Sequence, residues 1–111
     1  MKLLTFLADL RVGRLVDELT QKLARQVYGS LRDVCETRVS SMTHAEARGY
    51  VWAKAQPIVL AQVSATSTTH PSLDATYLAL LSDRTRERVV RAVVNDLMRD
   101  RVRHVNRRRA A

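Results

Sequence analysis

Two prolines, three glycines, one cysteine and five aromatic residues are all that 111 positions contain of these types. Each shortage excludes something. A lone Cys35 cannot close an internal disulfide, so nothing points to an oxidising compartment. Three isolated glycines cannot build a phosphate-cradling loop. So little Gly and Pro also argues against a disordered or low-complexity chain. No apolar run approaches the roughly 18 residues that a membrane span requires. The opening Leu3–Leu4–Thr5–Phe6–Leu7 stretch is cut by Asp9 and Arg11 too early for a signal peptide. The expectation is a cytoplasmic protein with no membrane contact.

Chemistry-bearing clusters are equally scarce. His44, His70 and His104 lie far apart, and none pairs with Cys35 or an acid at metal-ligand spacing. Cys35 follows an apolar helical stripe and reads as a small core residue, not a nucleophile. Acids one helical turn apart, Asp83/Glu87 and Asp96/Asp100, have arginines beside them. They read as ion pairs: Glu87 with Arg91, Asp96 with Arg99, Asp100 with Arg103. No catalytic residue, metal or cofactor is expected, and the chain is read as a non-enzyme.

What is present is helix-forming. Apolar residues make up 46% of the chain, enough for one domain with its own core. Val12, Leu15, Val16, Leu19, Leu23, Val27, Leu31 and Val34 recur at helical spacing. Leu3, Leu4, Phe6, Leu7 and Leu10 form a second stripe that points nearly the opposite way. The phase flips next to Gly13. Either a short helix ends there, or one helix carries an N-terminal face that needs a partner such as another subunit.

Thr43 and Glu46 make a capping box after the polar turn Ser40–Ser41–Met42. The helix they start carries Tyr50, Val51, Trp52, Ile58, Val59, Leu60 and Val63 around most of its circumference, which predicts a central, buried element with Trp52 in the core. Pro57 predicts a kink or break in it. Ser72 and Ser82 are candidate caps for a short helix and a long final one. The predicted fold is an all-α helical bundle of three long helices, about 14–38, 43–66 and 82–106, with short helices at about 2–10 and 73–81. Residues 1–106 form the domain and 107–111 a basic tail.

Charge is the most directional signal. Of a net +8, six charges fall in the last thirty residues, where ten arginines face four acids. Arginine outnumbers lysine sixteen to three, which favours bidentate phosphate or carboxylate contacts, although GC-rich coding also favours Arg. Arg84, Arg88, Arg91, Asn95, Arg99 and Arg103 recur at steps of three or four, on the face opposite Val90, Val93, Val94, Leu97 and Met98. Arg107, Arg108 and Arg109 extend the charge. Like-charged pairs at i,i+4 such as Arg84/Arg88 weaken an isolated helix, so this face is poorly explained by stability alone. The expected function is non-catalytic nucleic-acid binding through phosphates, DNA ahead of single-stranded RNA, because no aromatic interleaves with the arginines. The alternative is a protein–protein interaction or assembly module whose basic helix docks on an acidic protein surface. Leu3, Leu4, Phe6, Leu7 and Leu10 are the candidate interface of a homo-oligomer.

Overall fold

The computed structural model describes residues 2–110, which form three helices and no strand: α1 (Lys2–Val39), α2 (His44–Thr69) and α3 (Ala75–Ala110). The bundle is long and thin, 68 × 23 × 21 Å. The capping box sets the first reversal. The Glu46 amide donates to Thr43 Oγ1 at 3.2 Å, and Glu46 Oε1 accepts from the Thr43 amide at 3.2 Å. The second reversal runs through His70–Pro71. There the His70 amide closes α2 on the Thr66 carbonyl, and Asp74 Oδ1 accepts from the Tyr77 amide at 3.0 Å to open α3. Asp74 is therefore the cap, not Ser72 or Ser82.

The two short helices expected at 2–10 and 73–81 are the first turns of α1 and α3. Gly13 does not interrupt α1, because a helical glycine costs only about 1 kcal/mol and nothing opposes its helical geometry. From Ala75 onward there is no Gly or Pro, so α3 runs through Ala110, beyond the expected end near Asn106. Pro57 likewise does not break α2. Its ring lies on the exposed side, as does Ala53, so water can take the carbonyl that loses its helical donor.

All three helices bury a ridge of every fourth residue: Leu23, Val27, Leu31, Cys35 and Val39 in α1; Ala47, Val51, Ala55, Val59 and Val63 in α2; Leu81, Thr85, Val89, Val93 and Leu97 in α3. Rows of this i±4n type interdigitate between neighbouring helices. A step of four exceeds the 3.6-residue turn, so each ridge drifts about 40° per step. That drift puts Cys35 in the core and leaves Val34 49% exposed, reversing the order a 3.6-residue stripe predicts. Burial also raises the Cys35 thiol pKa, which keeps it neutral.

No helix is central. In a three-helix bundle each element keeps a solvent face, and α2 buries only its Ala/Val ridge. Trp52 and Leu60, expected in the core, are 39% and 48% exposed.

Thr85 is completely buried, and its hydroxyl has no hydrogen-bond partner among the described residues. Thr20, also buried, donates to the Val16 carbonyl at 2.7 Å. Removing an unsatisfied buried hydroxyl while keeping its volume should stabilise the fold by about 1 kcal/mol. Thr85→Val is therefore expected to raise the urea midpoint; a lower midpoint would contradict this reading of the core.

Candidate nucleic-acid interface

A ladder of polar contacts locks α1 and α3 side by side in parallel. Arg84 Nη1 meets Asp17 Oδ1 at 2.9 Å, the Tyr28 hydroxyl donates to Asp96, and Arg32 Nη2 meets Asp100 Oδ2 at 2.5 Å. Each partner in α3 lies 67 or 68 positions after its mate in α1. Arg32 also donates to the Tyr28 hydroxyl at 3.1 Å, so four side chains form one network. Asp100 is thus held by Arg32, not by Arg103 as local spacing predicts. Arg99 does lie 4.0 Å from Asp96, and Arg91 3.1 Å from Glu87.

The basic face of α3 points to solvent as expected: Arg84, Arg88, Arg91, Asn95, Arg99 and Arg103 are all exposed, while Val90, Val93, Val94 and Leu97 are buried opposite. Its charges are not equivalent. Arg84, Arg91 and Arg99 each have an acid beside them. Arg88, Arg103, Arg107, Arg108 and Arg109 form no ion pair among the described residues and are exposed. Arg101 binds the Met42 carbonyl at 2.6 Å, which marks where α3 passes the α1–α2 turn. Beyond it, residues 102–109 are exposed on every side, Val102 and Val105 included. Arginines in this last turn complement the negative end of the helix dipole, yet Arg103 and Arg107 repel one another at i,i+4.

Folding adds residues that α3 alone does not reveal. On one flank, a groove of about 690 Å³ runs between α1 and α3, where Arg84, Arg88 and Arg91 share the walls with Thr20, Gln21 and the two acids Asp17 and Glu87. Arg25 of α1 lies beside Arg88 further along that flank. On the other flank, α2 runs antiparallel to α3 and sets His44, Arg48 and Trp52 beside Arg91 and Asn95, with Glu87 among them, around a cleft of about 290 Å³. The Arg86 guanidinium lies 4.0 Å from the centre of the Trp52 ring and donates through Nε and Nη2 to the Trp52 carbonyl at 2.9 and 2.7 Å. An aromatic ring therefore does accompany the arginines, brought there from another helix. The available signal is His44, Arg48 and Trp52 at i, i+4 and i+8, one line along α2.

At the opposite end of the bundle, every residue from Lys2 to Arg11 is exposed. Leu3, Leu4, Phe6, Leu7 and Leu10 are 46–72% exposed. Among the described residues no group of three His, Cys, Asp or Glu is placed to hold a metal ion, and no helix is long and apolar enough to cross a membrane. Comparison of the chain with protein-family models, with curated proteins and with solved structures finds no match.

The α1–α3 ladder has a pH signature. The hydrogen bond to the Asp96 carboxylate, with a smaller effect of burial, raises the Tyr28 pKa above its ordinary value near 10. A raised folded-state value contributes stability below about pH 10 and loses it as pH climbs through that value. Tyr28→Phe should cost about 1 kcal/mol at pH 7, discounted for partial exposure, and its deficit should narrow above about pH 10. Chemical denaturation across that range checks this; a deficit independent of pH would contradict it.

Proposed function

We propose that this chain is a small, non-catalytic cytoplasmic protein that binds nucleic acid mainly through phosphates, using α3. The observation that carries the reading is the set of exposed arginines that form no ion pair among the described residues, at Arg88 and along the projecting end of α3 at Arg103, Arg107, Arg108 and Arg109. A surface kept for solubility would pair or alternate these charges. A single helix about 10–12 Å across, with Arg103, Arg107, Arg108 and Arg109 exposed along its projecting end, matches a major groove about 12 Å wide. Arginine forks fit phosphate bidentately, and such contacts position a protein without reading sequence. Arg84, Arg91 and Arg99, held by acids, supply less.

Four or five phosphate contacts predict that duplex DNA affinity falls with salt at a log–log slope of about −4, a loss of roughly a hundred- to a thousand-fold between 50 and 200 mM. Arg88→Gln or Arg103→Gln should flatten the slope by about one unit, whereas Arg84→Gln, already neutralised by Asp17, should change it much less. Absence of duplex binding at 50 mM salt would end this reading and favour docking on an acidic protein surface.

The strip Leu3, Leu4, Phe6, Leu7 and Leu10 is assigned to a second copy of this chain. Five such side chains present an apolar patch of roughly 300–600 Å², the size at which exposed patches become functional. Doubled across a two-fold axis, that approaches the roughly 1,000 Å² total of a specific interface. Such a homodimer would join two chains at the end remote from the arginines. Sedimentation should show concentration-dependent dimer that Leu4→Glu and Leu7→Glu together convert to monomer; a wild-type chain monomeric at high concentration would refute it.

A further inference from the structure

We infer that the cleft between α2 and α3 is a site for one unpaired nucleotide, its base stacked on Trp52 and its phosphate held by Arg48 and Arg91; this rests on the nucleic-acid reading above. The chemistry is assembled from two helices. His44, Arg48 and Trp52 descend one face of α2, and Arg91 and Asn95 face them from α3. At about 290 Å³ the cleft sits at the lower edge of ligand-sized cavities, roughly 300–1,000 Å³, as suits a single base and not a large cofactor.

Trp52 is the decisive residue. A large aromatic ring 39% exposed, on a bundle with a core able to take apolar side chains, is placed where a flat ligand can cover it. Arg86 lies over the ring and pins the residue through its carbonyl, so the indole is already oriented before any ligand arrives. A base added to the remaining ring surface would complete a guanidinium–indole–base stack. Arg48 has no acidic partner among the described residues, and Arg91 has only the exposed Glu87 at 3.1 Å. A backbone phosphodiester offers the same fork of two charged oxygens to that guanidinium, and Arg48 and the stacked base add contacts that Glu87 does not have. Glu87 thereby acts as an internal stand-in for the phosphate, weakening binding of anything that brings charge without a base to stack. Asn95 also lines the cleft and offers both a donor and an acceptor.

Because a paired base cannot reach the indole, the cleft selects single strands, loops or frayed ends over intact duplex. Trp52 is the chain's only tryptophan, so its emission reports on the cleft alone. The full-length wild-type protein is titrated with oligothymidylate of about 12 nucleotides, within the span of single-strand sites, and with an abasic strand of the same length, binding being followed separately by anisotropy of an end label. Oligothymidylate is expected to quench Trp52 saturably, while the abasic strand binds about tenfold or more weakly and leaves the emission nearly unchanged, since one stacked base is worth about 1–3 kcal/mol. Arg48→Gln should weaken oligothymidylate about tenfold, one charged contact, and Glu87→Gln should tighten it severalfold. Equal quenching by both strands, or unchanged or weaker affinity in Glu87→Gln, overturns the cleft assignment. Binding of both strands with no change in emission also overturns it, yet leaves phosphate-led binding by α3 standing. Failure of either strand to bind at low salt removes both.

Discussion

The parallel register of α1 and α3 governs the layout of the molecule. Parallel neighbours cannot be joined by a tight turn, so α2 must run back between the two ends. The ladder from Asp17–Arg84 to Arg32–Asp100 then fixes the axial position of α3 against α1. With that offset set, α3 passes the α1–α2 turn where Arg101 donates to the Met42 carbonyl, and residues 102–109 beyond it are exposed. The leucine strip of α1 is carried to the other end by the same constraint. A slip of one helical turn would set His104 in place of Asp100 opposite Arg32 and shift the cleft residues of α2 and α3 out of register with one another.

The ladder lies at the rim of an apolar core. The α2 ridge is smooth, built of Ala and Val alone, while the α1 and α3 ridges also carry leucines. Half-exposed ion pairs add little net stability, but the Tyr28–Asp96 and Arg32–Asp100 contacts form only at one offset. Specificity of alignment therefore comes from the polar rim and cohesion from the apolar ridges. The narrow ridges also explain why so much else is exposed. A helix that buries one line of residues leaves the rest of its surface for other uses, and on α3 that surface is basic.

Where a residue's fate depends on its own helix, it was legible in the chain. Thr43 and Glu46 form both bonds of the capping box, and Val90, Val93, Val94 and Leu97 turn inward while the arginines turn out. Where it depends on a neighbouring helix, it was not. Trp52 sits on a helix apolar nearly all round, so periodicity cannot say which side meets the bundle, and the largest residue ended outside. Asp100 has Arg103 a turn away in sequence, yet α1 brings Arg32 closer to it. Gly13 and Ser82 carry local signals for breaks that packing and uninterrupted hydrogen bonding override. The basic face of α3 was legible; its flanks, supplied by Arg25, Arg48 and His44, required the fold.

The central claim is that polyanion contact is confined to α3 and the faces flanking it. Hydrogen exchange by mass spectrometry, with and without saturating oligonucleotide at low salt, tests it most directly. The projecting end of α3 frays most readily when free, so bound nucleic acid should slow exchange most strongly over residues 99–110, with weaker protection over 44–52 and none over 2–11. Protection centred on residues 2–11, or no change anywhere in α3, would contradict the account.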